Sequence, residues 1–171
     1  MKIAGIDLAA KEKNPTGLAL MEGGRVKCVT LYTNLQIFSQ IIEFQPSIVA
    51  IDAPLTLNVN RYADKYLRKY GAMSLKIPSM MELARRGLEV KEYLEGKGYK
   101  VIEVFPTATA KILGFYSKDK MDMLSYFQEF EIEGGKNKHE VDALIAAYTG
   151  WLYALDKYRK IDGVVIPEEN L

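Results

Sequence analysis

The sequence predicts an α/β fold: a mixed five-stranded sheet, made of a three-strand antiparallel meander plus parallel strands, flanked by helices. Three observations carry this expectation. Two short apolar runs rich in β-branched residues, at positions 2–8 and 47–52, read as strands buried on both faces, and each brings a carboxylate to its end, Asp7 and Asp52. Between them lie a hairpin signal and one helix, so the second run returns through a crossover and joins the sheet parallel to a neighbour. A long helix at about residues 138–158, with a broad apolar stripe and a slim face of small residues, closes the pattern.

Composition bounds the rest. With 171 residues the chain is expected to be a single domain, 1–171, able to bury about two-thirds of its unfolded surface. An apolar content of 49% with 26% charged residues excludes disorder. Cys28 is the single cysteine, which rules out a disulfide framework and suits a reducing compartment. No run approaches 18 consecutive apolar residues and the start of the chain does not read as a secretory signal, so the expectation is a soluble, cytoplasmic protein with no membrane partner. A net charge of +1 means that any nucleic-acid surface must be a local patch. A single histidine leaves too few ligands for a zinc site, and neither a P-loop nor a dinucleotide glycine pattern is present.

Along the chain, Asn14-Pro15 turns into a second strand from Thr16, and Gly23-Gly24 marks a hairpin into a third, residues 26–33. Leu35, Phe38, Ile41 and Ile42 have helical spacing after Asn34 as the cap. After Asp52 a helical insert covers about residues 54–97. It holds a basic amphipathic helix at 60–70 and a second helix capped by Ser79. Residues 99–105 form the fifth strand, stopped by Pro106; short helical segments follow at 107–114 and after Ser117 or Asp119. Asn137 caps the last helix with Glu140 closing the box, and residues 163–166 form an edge strand or pack over the end.

The chemistry is expected at the carboxyl edge of the sheet, where open α/β sheets bind their ligands. Asp7 ends strand one, Asp52 ends strand four, and Asp142 stands in the first turns of the last helix, on one face with His139. Carboxylates brought together repel unless a cation lies between them. Hard oxygen ligands of this kind suit Mg²⁺, and paired ions clamp the attacking and leaving oxygens of a phosphodiester.

These residues carry a resemblance. Asp7, Asp52 and His139-x-x-Asp142 on a terminal helix resemble the ribonuclease-H-like superfamily, especially its Holliday-junction resolvase (RuvC-like) branch. Glu103-Val-Phe-Pro106, then Lys111, Gly114 and Lys118, is similar to the run after the fifth strand in those resolvases. More narrowly, Gly5-Ile-Asp7-Leu-Ala, Ile51-Asp52-Ala-Pro54, Glu103-Val-Phe-Pro106 and His139-Glu-Val-Asp142-Ala resemble a family of predicted nucleases of this fold. The resemblance implies a metal-dependent nuclease or phosphodiesterase acting on DNA or RNA. Asp7, Asp52 and Asp142 would be ligands of Mg²⁺ (or Mn²⁺), His139 a ligand or proton carrier, and Glu103 a supporting partner. Two departures stand out: Asp52 occupies a position where such resolvases commonly carry Glu, and the insert exceeds a minimal ribonuclease-H core.

Arg61, Lys65 and Arg68 share one helix face by their spacing and are the expected phosphate contacts. Two other functions stay open: an actin-like-fold phosphotransferase on a small substrate, which would need a homodimer to build its cleft, and a non-catalytic nucleic-acid-binding module.

Overall fold

The computed structural model describes residues 1–171. Eight strands form one mixed sheet: β1 (Lys2–Asp7), β2 (Thr16–Glu22), β3 (Arg25–Leu31), β4 (Ile48–Asp52), β5 (Lys100–Val104), β6 (Glu131–Glu133), β7 (Tyr158–Ile161) and β8 (Val164–Pro167). The helices are α1 (Asn34–Phe44), α2 (Tyr62–Tyr66), α3 (Pro78–Gly96), α4 (Pro106–Ile112) and α5 (Lys138–Ala154), with 3₁₀ segments at Leu67–Tyr70 and Lys120–Phe127. Strand order is β6-β3-β2-β1-β4-β5-β8-β7. The five expected strands are the centre of this sheet, with β1 antiparallel to β2 and parallel to β4, and β4 parallel to β5.

Three further strands widen it. β6 adds parallel to β3, while β8 lies parallel to β5 and carries β7 antiparallel to it. β6 has only three residues, two of them exposed glutamates, so it shows no apolar run. β7 begins at Tyr158, the residue at which the last helix is expected to end. That helix ends at Ala154, and Asp156 takes a left-handed conformation at φ 59°, which turns the chain back into the sheet.

The strands read as apolar throughout because both faces are covered. Ile3, Ala19, Ile48, Ala50 and Ile102 pack against α5, α4 and the second 3₁₀ segment. Ala4, Ile6, Leu18, Val49, Ile51 and Val101 pack against α1 and α3. Phe115, Tyr126, Phe127, Phe130, Tyr148 and Trp151 form a continuous aromatic group over the α5 layer.

Local signals moved by small amounts. Thr33, not Asn34, caps α1 in a capping box with Gln36, while Asn34 accepts from Arg86 Nε at 3.0 Å. Helix α3 begins at Pro78 without a side-chain cap, because a proline at the first position needs no partner for a missing N–H. The basic stretch at 60–70 is a five-residue helix followed by a 3₁₀ turn, so its charges do not share one continuous face. No helix is long and apolar enough to cross a membrane.

Candidate metal centre

Two strand ends and one helix build the site. Asp7 and Asp52 are register partners at the carboxyl ends of adjacent parallel strands. Asp7 follows Ile3 and Gly5 in the period-two alternation, and Asp52 follows Ile48 and Ala50, so both side chains face the α5 layer. Asp142 descends on them from the second turn of α5. One carboxylate oxygen from each of Asp7, Asp52 and Asp142 lies within 4.8 Å of the others.

The start of α5 is fixed tightly. Asn137 Oδ1 accepts from the backbone of His139 and Glu140 at 3.1 and 3.0 Å. Glu140, buried, accepts from Gly135 N, Asn137 Nδ2 and Thr30 Oγ1, the last at 2.6 Å, which ties the helix start to β3. Asn137 caps the helix as expected, but Glu140 does not close the box on the Asn137 backbone; it turns to Gly135 N and Thr30 and cross-links the helix start to the sheet. Two glycines let the helix lie close: a Cβ on Gly5 would sit 2.2 Å from Ala143 O, and one on Gly17 would sit 2.0 Å from His139 O. Only hydrogen at these positions allows Asp142 and His139 to reach the strand ends.

His139 Nδ1 lies 3.1 Å from Asp7 Oδ2. Lys120, which the sequence reading did not select, comes from the first position of the second 3₁₀ segment and pairs with Asp142. Asp119 caps that segment by accepting from Met121 N, which places the neighbouring lysine. The acids, His139, Lys120 and Lys138 line one cleft of about 600 Å³ with residues 8–10 and Asn14-Pro15 on its rim.

Electrostatics follow from the crowding. Burial, then the charges of Asp7 and Asp142, hold the Asp52 carboxyl well above the usual carboxylate range. Burial, then Asp7, push Asp142 up to about 6 against the opposing pull of Lys120. Burial works against the Lys120 ammonium, but Asp142, Asp7 and Asp52 together keep it above the ordinary lysine value. All donors of the acid set are hard oxygens that resist sharing so small a space without positive charge, which fits a small divalent cation.

Arg61 and Glu103 belong elsewhere. Glu103 alternates with Ile102 and Val104, so it leaves β5 on the face opposite the acids. It accepts Arg61 bidentately at 2.8 and 2.7 Å and Leu55 N at 2.8 Å, and Arg61 Nε also donates to Asp64 Oδ1 at 2.9 Å. The expected surface cation is thus a buried one, and it is not available to a phosphate track. A residue 42 positions away supplies its partner, which local spacing cannot reveal. Through Leu55, Glu103 steadies the chain as it leaves Asp52. Lys65 and Arg68 are exposed and do not line the acidic cleft. Cys28 is buried, and burial, then Glu140, push its thiol up to about 12, so it is no nucleophile.

No protein-family model matches the chain, and no curated protein sequence matches it. Solved structures do. Thermus thermophilus RuvC matches over 98% of this chain and 100% of its own, with a TM-score of 0.57 and 17% identity. RuvC of the same organism in complex with Holliday junction substrate matches over 91% of this chain and 96% of its own, with a TM-score of 0.56 and 18% identity. At this identity the likeness is one of fold, and it covers nearly the whole chain. The molecule described here has the ribonuclease-H-like fold in the form that RuvC also takes.

Proposed function

We propose that the chain is a divalent-metal-dependent nuclease that hydrolyses phosphodiester bonds of DNA or RNA. The observation that carries this reading is the convergence of Asp7, Asp52 and Asp142 within 4.8 Å in an open cleft. The fold supports it, since one similar structure is a RuvC in complex with a Holliday junction substrate. Mg²⁺ or Mn²⁺ held by these three aspartates would supply charge to the phosphoryl group and acidify a water molecule.

The chain's own residues do the rest. With Nδ1 donating to Asp7, His139 keeps its lone pair on Nε2 and takes a proton from the attacking water. Lys120 and Lys138 line the same cleft and draw the phosphate backbone towards the acids. The backbone of Leu55, held by Glu103, keeps Asp52 at the strand end.

The test uses labelled single-stranded, duplex and branched DNA and RNA with Mg²⁺, Mn²⁺ or chelator. Metal-dependent cleavage lost in Asp7→Asn is the expected result. Binding of the metal should also raise thermal stability, by about 2.7 kcal/mol at 100 times its dissociation constant, and Asp7→Asn should lose most of that rise. A wild type that shows the shift but cleaves nothing would turn the reading to a non-catalytic nucleic-acid-binding module.

A further inference from the structure

The stretch at 60–70 keeps one property that its broken helix does not remove. Arg61 and Asp64 are buried against each other, so its exposed charges, Lys65, Arg68 and Lys69, are all positive. Tyrosines stand among them. Lys69 Nζ lies 4.1 Å from the ring centre of Tyr66 and 5.3 Å from that of Tyr70. From β7, Arg159 Nη1 donates to Tyr66 Oη at 3.3 Å, while its Nη2 donates to Glu169, the carboxylate on this row, at 2.9 Å. Tyr66 and Tyr70 pack on the small core of Ala63, Leu67 and Ile166, which holds their rings in place while leaving them partly open.

Helix α4 ties this group to the acids' side of the sheet. It starts at the carboxyl end of β5, and Thr109 Oγ1 lies 2.8 Å from Thr149 Oγ1 of α5, whereas Ala108 packs with Ala63 and Leu67 of the insert. Lys111, in its last turn, donates to Tyr70 O at 3.2 Å and holds its ammonium 4.7 Å from the ring centre of Tyr116. Tyr116 is 43% exposed and precedes Lys120, a wall of the acidic cleft, by four residues. Its neighbour Phe115 packs on Tyr126 and Phe127 over the α5 layer. Ring and cation thus alternate from Tyr116 through Lys111, Tyr70 and Lys69 to Tyr66 and Arg159, leading away from the cleft across the carboxyl edge.

We propose that this row is the track of a single unpaired nucleic-acid strand, with Lys111, Lys69 and Arg159 on its phosphates and Tyr116, Tyr70 and Tyr66 under its bases. The proposal rests on the nuclease reading and narrows its substrate to one with a single-stranded arm at the cleft. Cations beside aromatic faces are what such a strand needs: the charges neutralise the backbone, and a ring face stacks on any base. A duplex turns base edges outward rather than faces, so it uses the cations and leaves the tyrosines idle. The lysine–ring contacts are exposed and weak, and each ammonium can exchange its ring for a phosphate without breaking a buried bond.

The experiment is fluorescence anisotropy of labelled oligo(dT), oligo(rU) and a DNA duplex of equal length, in chelator so that nothing is cleaved. Tyr116→Leu keeps apolar bulk at an exposed site; it should weaken single-strand binding about tenfold and leave duplex binding unchanged, and Tyr116→Phe should restore the wild-type value. Lys69→Gln and Lys111→Gln should each flatten the log–log salt dependence of single-strand binding by about 0.7. Lys27→Gln, an equal charge change on exposed β3 towards the other edge of the sheet, should leave that slope as it is. Either oligomer showing this pattern supports the track, and the tighter one identifies the sugar. Equal losses on strand and duplex, a Tyr116→Leu protein that binds like wild type, or a slope change in Lys27→Gln as large as in Lys69→Gln would overturn it. A cleavage assay with Mn²⁺ separates the two readings: cleavage by a protein whose Tyr116→Leu variant binds like wild type removes the track alone. Single-strand binding in the expected pattern without cleavage keeps the track and removes the nuclease.

Discussion

Lys120 puts an ammonium where three carboxylates would otherwise face one another, so in the metal-free protein it serves as an internal counter-ion. A divalent ion held by the acids would have to compete with it. Lys120→Met is therefore expected to tighten Mn²⁺ binding, by about tenfold in calorimetry; weaker binding would mean that the lysine supports the ion instead. Asp142 gives a second handle. Its carboxyl, raised to about 6, binds its proton more tightly in the folded state than an ordinary carboxylate near 3.9 does in the unfolded chain. That contribution is fully present below about pH 4 and is lost as pH rises through about 6. Metal-free wild type should thus lose stability relative to Asp142→Asn between about pH 4 and 7, read from urea denaturation at each pH. Parallel curves would show an unshifted Asp142. The acids were legible in the sequence because each ends or begins a periodic element. Lys120 was not, because it comes from an irregular 3₁₀ segment whose place over the site is set by packing of Met123 and Phe127.

At the scale of elements, the close approach of α5 to β1 and β2 decides whether the acids meet. The atoms that a Gly5 Cβ would meet are backbone, Ala143 O at 2.2 Å and Ala147 N at 2.3 Å, and backbone cannot step aside. Gly5→Ala should cost about 3 kcal/mol or more in urea denaturation, at or beyond the upper end of ordinary overpacking. Gly150→Ala, where the nearest atom is Ile3 Cγ2 at 2.8 Å, should cost less because a side chain can shift. The Arg61–Glu103 pair is the second determinant, with both side chains under one-tenth exposed. Burial raises Glu103 and Arg61 pulls it back, so Arg61→Met would leave Glu103 without its compensating charge. The expected loss is about 3–5 kcal/mol, and a loss below about 1 kcal/mol would place the pair in solvent. The central strands and the start of α5 could be read from apolar runs and caps. The sheet edges could not: β6 is too short to show alternation, and β7 depends on a left-handed turn at Asp156 that has no strong local signature.

Across the whole molecule, α5 is the element that unites the sheet, packing on β1, β2, β3 and β4 through an almost wholly buried face. Trp151 lies on the same helix as Asp142, against Phe130 and Tyr148, so its fluorescence reports the docking of that helix. In stopped-flow refolding with Mn²⁺, ion capture should coincide with the Trp151 change or follow it; capture that precedes it would mean that Asp7 and Asp52 suffice. The acids stand at positions 7, 52 and 142, and that spread bears on synthesis. A ribosome delivers the first two long before the third. Until α5 has emerged and docked, the growing polypeptide holds only two of the three carboxylates of the cluster. The moment at which the three carboxylates meet is therefore set by the docking of one helix that follows all the central strands.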